Sequence, residues 1–409
     1  DIVIEKQSPA SITYAKENLS ALDSKIELLI AAAQEDYQKQ NLTDFSTRLD
    51  ILLNMRYVGS DTHLLIPTKV GESDAAEKFI KRHRNEFGFN LDREVLVSDV
   101  EVMLIVESKD KEEHNPYQEA AQLSSTLEPP TTSFTKPVYF ETFGWLDSPV
   151  HLLPDLPKGA LVKGPAVIID NTQTLIIEPR SRARILAHHV LIEVEQEEKP
   201  QLSSTTVDPI QLSVFGHRFM SVAEQMGRTL QQTAISTNIK ERLDFSCAIF
   251  DHNGDLIANA PHIPIHLGSM SYAVKAQIKM WEGKLEPGDV LVSNHPIAGG
   301  SHLPDITVIT PVLDEHNEPI FWTASRGHHA DIGSIAAGSM PPNSKTIYDE
   351  GAAIVTHKLC VRGKFDEEGI TKILVDEPAK YPGGSGTRTL SDNLSDLKAQ
   401  VAANYKGIV

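Results

Sequence analysis

Short apolar runs separated by clusters of glycine, proline and asparagine most constrain how this chain folds. Between residues 288 and 333, the runs 290–292 and 306–312 flank a turn-rich stretch, and a third run, 320–324, precedes a histidine-rich loop. Runs of this length with this punctuation predict strands with loops at their ends. Loops held by a rigid sheet are where binding groups usually lie. The stretch therefore predicts a sheet with a functional site at one end.

Polar residues with metal-binding chemistry lie at the ends of these runs. His302 and Asp305 precede one predicted strand, and His328, His329 and Asp331 follow the next. Three histidines and two carboxylates indicate a metal site with nitrogen and oxygen donors, a set that suits Mn, Zn or Fe better than Ca. From the spacing alone, His302 and Asp305 are equally well explained as residues that cap a turn.

The other candidates each have a structural alternative. Neighbouring residues in an extended segment point apart, so at most one of His328 and His329 is expected to bind the metal, with the other forming a hydrogen bond nearby. Asp244 precedes a predicted buried strand and is either a further ligand or a salt-bridge partner of Arg242. His262 and His266, in the sequence HIPIH, could line a pocket, but the sequence favours an ordinary loop role for both.

The sequence pattern changes near residue 200. Between 137 and 194, short β-prone runs alternate with turn residues, which predicts a barrel or sandwich. From residue 208 onward, helical periodicity alternates with strands. We therefore predict an α+β multidomain protein with a β-rich, barrel- or sandwich-like region over 1–200 and a mixed α/β region over 201–409. The polar segment 109–135 is predicted to be a mobile loop or linker.

Charge, hydropathy and cysteine content narrow the class of protein. The chain has 38 Lys and Arg against 56 Asp and Glu, a net charge of −18, which argues against nucleic-acid binding. No apolar stretch is long enough to predict a membrane span. Two cysteines in apolar surroundings favour a reducing compartment such as the cytoplasm. No phosphate-binding loop of the G-x-x-x-x-G-K-[ST] type is present, so we predict no nucleotide site within the chain.

The second half of the chain resembles the B part of the hydantoinase/5-oxoprolinase family. The matching motifs are DFSCAIFD (244–251), HIPIHLGSM (262–270), SNHPIAGGSHLPDITVITPV (293–312), SRGHHADIG (325–333) and DNLSDLKAQVAANYKG (392–407). Two motifs of the first half, MRYVGSDTHLLI (55–66) and LPKGALVKGPAVIIDNTQTLIIEP (156–179), resemble the C-terminal part of the A region. The motifs NHP (294–296) and GSMPP (338–342) are most similar to those of the eukaryotic ATP-dependent type, in which both parts are fused in one chain.

The resemblance implies a reaction and a set of residues. ATP phosphorylates the lactam carbonyl of 5-oxo-L-proline in the A part, and water opens the ring in the B part to give glutamate, within glutathione metabolism. Asp244, His302, Asp305 and His328 are implied as metal ligands, with His329 as the alternative to His328, and no catalytic base is assigned. The implied partners are a lactam substrate, a second copy in a homodimer, and the remainder of a longer enzyme that holds ATP and Mg.

The ends of the chain, which begins without Met and closes after a predicted helix, lead us to expect a piece of a longer protein. Two alternatives stand beside the coupled enzyme. One is a metal-dependent cyclic amidase of hydantoinase type that works without ATP. The other is a non-catalytic fragment that acts in dimerisation.

Overall fold

The computed structural model describes residues 2–40, 46–107, 115–123, 127–132, 134–195 and 208–409. The chain packs into two compact units, one formed by 1–107 together with 207–409 and the other by 108–206. Packing therefore groups the first hundred residues with the second half. The predicted division into 1–200 and 201–409 concerns sequence relationship and stays a prediction, and its boundary falls largely on residues outside the described ranges.

The first stretch forms a four-stranded antiparallel sheet covered by two helices. Its strands lie in the order β1-β4-β2-β3 and bury alternate residues, as a sheet with one solvated face does. Leu22 and Ile26 of the first helix and Phe79 of the second pack on the buried face with Leu53 and Val102. The elements are β1 (Ile2–Thr13), α1 (Leu19–Lys39), β2 (Ser46–Tyr57), β3 (Leu64–Thr68), α2 (Ala75–Phe87) and β4 (Val95–Glu107).

The unit of residues 108–206 is β-rich, as predicted. It holds two sheets, in the orders β5-β6-β8-β9 and β11-β10-β7, whose apolar residues share one core, as in a sandwich. The predicted loop over 109–135 is wrong in part, because a short helix begins at Pro116 with Asn115 capping it. The elements are α3 (Pro116–Gln122), β5 (Thr135–Phe140), β6 (Gly144–Leu152), β7 (Leu161–Lys163), β8 (Ala166–Ile169), β9 (Thr174–Ile177), β10 (Ser181–Ile185) and β11 (Val190–Val194).

The second half is a mixed α/β structure built on a seven-stranded sheet with the order β13-β12-β16-β15-β14-β17-β18. Its helices and strands alternate along the chain, as the sequence predicts. The elements are α4 (Pro209–Thr233), α5 (Thr237–Lys240), β12 (Phe245–Asp251), β13 (Leu256–Asn259), α6 (Pro264–Trp281), β14 (Val290–Ser293), β15 (Asp305–Leu313), β16 (Pro319–His328), β17 (His357–Val361), β18 (Lys364–Phe365), α7 (Glu367–Thr371), α8 (Glu377–Ala379) and α9 (Leu390–Lys406).

Helices cover both faces of this sheet because its central strands are apolar on both sides. Ala248 and Phe250 of β12 pack with α6, whereas Cys247 and Ile249 of the same strand pack with α4 and α9. Strands buried on both faces consist of continuous apolar runs instead of alternating ones. Among the described residues, no helix is both long and apolar enough to cross a membrane.

Candidate metal centre

Two neighbouring strands bring Asp305 and His328 together at one end of the sheet. Asp305 is the first residue of β15, His328 is the last of β16, and the antiparallel register pairs them directly. Nδ1 of His328 lies 2.7 Å from Oδ1 of Asp305. The ring of His302 stacks on that of His328 with centroids 5.4 Å apart. One potential ligand atom from each of these three side chains lies within 4.8 Å of the other two.

A buried asparagine holds the loop that presents His302. The amide of Asn294 donates to the carbonyl of Leu303 at 2.6 Å and accepts from the N–H of Ile354 at 2.6 Å. The loop passes so close to this residue that a Cβ at Gly300 would lie 1.8 Å from its carbonyl oxygen. The turn residues of the sequence SNHPIAGGSHLPD therefore form a fixed frame, which places His302 beside the strand ends.

Asp244 and His266 lie next to these three residues. Asp244 directly precedes β12, the other neighbour of β16, and its carbonyl accepts the backbone N–H of His328 at 2.9 Å. His266 is buried near the start of α6, and its Nε2 is 3.7 Å from Oδ1 of Asp244 and 3.6 Å from Oδ1 of Asp305. The structure thus brings His302, Asp305 and His328 together and places His266, which the sequence favoured as an ordinary loop residue, within 3.7 Å of the carboxylates of Asp244 and Asp305.

The carboxyl group of Asp305 is held in its ionised form. Burial alone would raise its pKa, but the interactions with His266 and His328 and the hydroxyl of Ser301 lower the pKa well below its usual range. A carboxylate that keeps its charge inside a protein normally faces cations or several donors. The arrangement therefore supplies a negative charge at neutral pH where imidazole nitrogens also converge.

A buried arginine connects the segments that carry these residues. Arg326, on β16, donates from Nε to the hydroxyl of Thr307 at 2.7 Å, from Nη1 to the carbonyl of His266 at 3.1 Å and from Nη2 to the carbonyl of Gly299 at 3.1 Å. Burial lowers its pKa to about 10, which the negative charge of Asp305 opposes, so the guanidinium stays charged at neutral pH. One side chain thus joins α6, the loop of His302 and two strands.

The adjacent histidines point in opposite directions, as the extended backbone predicts. His329 is fully buried, with Nε2 3.1 Å from the amide oxygen of Gln400 and Nδ1 3.1 Å from the amide nitrogen of Asn393, both on α9. Burial lowers its pKa, so the ring is neutral at physiological pH. Of the two, His328 faces Asp305, while His329 fixes the strand against the helix.

Asp331 and the glycine-rich turn 383–388 have structural partners. The carboxylate of Asp331 accepts from the N–H of Gly333 at 2.8 Å and from Nη1 of Arg388 at 2.8 Å. The turn packs tightly, since a Cβ at Gly386 would lie 2.5 Å from the carbonyl oxygen of Val375. These residues hold the loops below the strand ends together. Asp331 belongs to this support and not to the group around Asp305.

Cys247 lies within the core, as the sequence predicts. Burial raises the pKa of its thiol well above the ordinary value. Its backbone N–H donates to Nδ1 of His262 at 3.1 Å, and the ring of that histidine lies against Phe245. The imidazole is thus occupied by a main-chain donor, so the pair has a packing role.

The sequence prediction gave no role in the site to Arg326 and Asn294, and it favoured an ordinary loop role for His266. An arginine within a strand that has no other Lys, Arg, Asp or Glu is the one local signal that singles out Arg326. Neither of the other two differs in sequence context from an ordinary loop residue. Their roles depend on contacts between segments tens of residues apart.

Comparison with known proteins identifies related sequences. Residues 208–409 match the hydantoinase B/oxoprolinase family. The whole chain aligns with the 5-oxoprolinase of Saccharomyces cerevisiae at 46% identity and with 5-oxoprolinase 1 of Arabidopsis thaliana at 46% identity, and in each case it covers 32% of the relative. The chain thus spans about a third of the length of these relatives.

A solved structure is also similar to part of the chain. The ATP-dependent caprolactamase of Pseudomonas jessenii is 34% identical, with a TM-score of 0.44, over 49% of this chain and 33% of that one. At the level of sequence, the caprolactamase subunit beta of the same organism is 35% identical over 43% of this chain and 30% of the relative.

Proposed function

The chain belongs to the hydantoinase B/oxoprolinase family, and we propose that it is a piece of a 5-oxoprolinase-type hydrolase that holds the metal-dependent ring-opening site. The observation that supports this most directly is the convergence of His302, Asp305 and His328 at the end of the sheet, with Asp244 beside them. Relatives at about 46% identity along the whole chain are named 5-oxoprolinases, which favours 5-oxo-L-proline as the substrate.

The proposed reaction is the hydrolysis of a cyclic amide in two steps. ATP first transfers a phosphoryl group to the lactam carbonyl oxygen, in a region outside this chain. The carbon of the activated ring then accepts one water, the C–N bond breaks to leave an acyl phosphate, and a second water releases the phosphate, so that the products are glutamate, ADP and phosphate. Activation is needed because the carbonyl carbon of an unstrained lactam is a poor electrophile. This chemistry would place the enzyme in glutathione metabolism.

The donor set fits a divalent cation. Two imidazoles and an ionised carboxylate suit Mn, Zn or Fe, and we assign Asp244, His302, Asp305 and His328 as the ligands. A bound cation would stabilise negative charge that develops on the carbonyl oxygen and make water a better nucleophile at neutral pH. The chain's own contribution is a fixed geometry, in which the register of β15 and β16 sets two ligands and Arg326 holds the loop of His302.

Several further features are part of the proposal. Because the chain spans about a third of its relatives, we propose that the ATP and Mg site lies in the remainder of a longer enzyme. The homodimer that the family resemblance implies is part of the same proposal. Two buried free cysteines are compatible with a reducing cytoplasmic environment. A different lactam is the second candidate substrate, favoured by the 35% identity to a caprolactamase subunit.

Metal content of the purified chain, measured by mass spectrometry, tests this proposal. The double variant His302→Ala/Asp305→Ala removes two assigned ligands. Asp314→Ala/His316→Ala is a matched control, because it removes the same residue types from the hairpin at the opposite end of β15 and β16. We expect about one metal per chain in the wild type and the control, and a large loss in the first variant.

Two results would contradict the proposal. Folded wild-type protein without metal, after supply of Mn, Zn and Fe, would mean that the ligand set is incomplete. Metal retained in full by the His302→Ala/Asp305→Ala variant would place the site elsewhere. ATP-dependent glutamate formation by residues 1–409 alone would overturn the separate claim that ATP is handled outside this chain.

A further inference from the structure

The segment between the end of α4 and Asp244 connects the first stretch of the chain with the metal centre. We call residues 235–243 the strap. At its start, the backbone N–H groups of Ile235 and Ser236 donate to Oδ1 of Asp396, at 2.7 and 3.2 Å. Asp396 lies on α9 and is buried. The side chain of Ile235 extends to the apolar cluster of residues 2–107. The strap thus begins between two separate parts of the molecule.

The turn between β2 and β3, residues 59–62, contacts the strap near its middle. Nζ of Lys240, whose side chain is 14% exposed, donates to the carbonyl of Gly59 at 2.9 Å and pairs with Oδ1 of Asp61 at 3.0 Å. The hydroxyl of Thr62 donates to the carbonyl of Gln232, just before the strap, at 2.9 Å. A partly buried lysine that reaches both a carbonyl and a carboxylate has one preferred position, so these contacts define where the strap lies.

The strap ends in a backbone conformation that needs support. Leu243 has φ 55°, in the left-handed region, which is unfavourable for a residue with a Cβ. Such conformations persist where the surroundings hold them, and they collect at functional sites. The next residue is Asp244, whose N–H donates to the carbonyl of Asn238 at 2.9 Å and whose carbonyl accepts from the N–H of His328. The backbone direction at Asp244 therefore depends on the position of residues 238–240, which Lys240 holds against the β2–β3 turn.

We propose that Lys240 and Asp61 are positioning residues, through which the β2–β3 turn sets the place of Asp244 in the metal centre. The inference rests on the proposed function insofar as it takes Asp244 as a ligand. It goes further because it makes residues 2–107 part of the metal-binding apparatus, although none of them lies among the ligands. Metal affinity in residues 208–409 then depends on a contact with a segment more than 170 residues away in sequence.

Four variants of the full chain test this proposal by calorimetric titration of the chelator-treated protein with Mn²⁺. Lys240→Met removes the ammonium and keeps the stem, Asp61→Asn weakens one contact only, and Lys240→Arg keeps the charge. Lys398→Met is the matched control, because Lys398 is 19% exposed and pairs with Glu367 at 3.1 Å, much as Lys240 pairs with a half-exposed acid.

The proposal gives an order of affinities. Changes around direct ligands weaken metal binding about tenfold to hundredfold. We expect about a three- to tenfold loss for Lys240→Met, one contact further away, and a smaller loss for Asp61→Asn. Lys240→Arg and Lys398→Met should stay within about twofold of the wild type. Equal affinity in Lys240→Met and the wild type, or an equal loss in Lys398→Met, would overturn the proposal.

Amide hydrogen exchange gives a second readout that does not need the metal. In Lys240→Met the amides of Asp244 and His328 should exchange faster, whereas in Lys398→Met they should not. If the wild type binds no Mn²⁺, the proposed function fails, and unchanged exchange at both amides would separately overturn the role of the strap. If Lys240→Met does not fold, Asp61→Asn decides both measurements.

Discussion

Among single residues, His266 is the one whose contribution to the metal centre calls for a direct test. It is 2% exposed, and its Nε2 lies within ion-pair distance of both Asp244 and Asp305. Its Nδ1 is 3.4 Å from the hydroxyl of Ser246. A Gln side chain can place an amide nitrogen near the position of Nε2, whereas the shorter Asn reaches only to the position of Nδ1. The two amides therefore separate the two sides of the ring.

We expect His266→Asn to weaken Mn²⁺ binding about tenfold to hundredfold, the usual effect of losing a group that orients ligands, and His266→Gln to weaken it by only a few-fold. Titration of both variants, with their melting temperatures as a check on folding, measures this. If Asn binds as well as Gln or better, the contact with Ser246 is the important one and His266 does not orient the carboxylates.

At this scale the sequence indicates candidate residues more readily than their geometry. His302, Asp305 and His328 could be named because they flank apolar runs and match family motifs. The choice between His328 and His329 needed the structure, because only the contact of His329 with Gln400 shows which ring faces α9. Periodicity states that neighbours point apart, but it does not state which side of the sheet holds the site.

At the scale of elements, the packing of α4 on the sheet gives a prediction that opposes helix propensity. Gly227 lies within this helix, and a Cβ there would be 2.6 Å from Cε1 and 2.7 Å from Nε2 of His262. That ring lies against Phe245 and accepts the N–H of Cys247, so it has little freedom to move. Gly216, on the exposed part of the same helix, has nothing within 4 Å of an added Cβ.

Replacing glycine by alanine in a helix interior stabilises by about 1 kcal/mol where there is space. Overpacking a core costs about 1–3 kcal/mol. We therefore expect Gly216→Ala to raise the free energy of unfolding by about 1 kcal/mol and Gly227→Ala to lower it. Urea unfolding of the two variants measures both effects. A stabilised Gly227→Ala protein would show that His262 can yield and that α4 is not packed as tightly as the distances indicate.

Elements with strong periodicity were the ones that the sequence predicted well. The helix expected over 208–232 is Pro209–Thr233, and the hairpin expected at 251–254 connects β12 and β13. The strand β1 and the short helix α3 were missed. β1 contains Pro9 and the charged residues Glu5 and Lys6, and its place is set by pairing with β4, a contact about ninety residues distant in sequence. Local strand propensity does not reveal a pairing partner that is so distant in sequence.

At the scale of the whole molecule, residues 2–107 pack with 208–409, a grouping that no linear pattern indicates. Sequence composition changes near residue 200, which is why the sequence predicts a division there. The contacts that join the two stretches come from turns and helix ends, among them Lys240 with Asp61 and Arg93 with Asp392 at 2.6 Å. Interactions of this kind produce no periodic pattern in the sequence of either partner.

The same arrangement predicts how the second half behaves by itself. The three apolar clusters on the seven-stranded sheet draw all their members from residues 208–409, and about 200 residues suffice for an independent core. We therefore expect residues 208–409 to fold alone with native helix and strand content. Without the β2–β3 turn, however, Lys240 loses both partners, so Mn²⁺ affinity should fall by about the factor seen in Lys240→Met. Circular dichroism and Mn²⁺ titration of this piece check the two halves of the expectation. Native affinity in the isolated piece would contradict the role of the first stretch, and a piece that does not fold would show that the turn contacts stabilise the sheet itself.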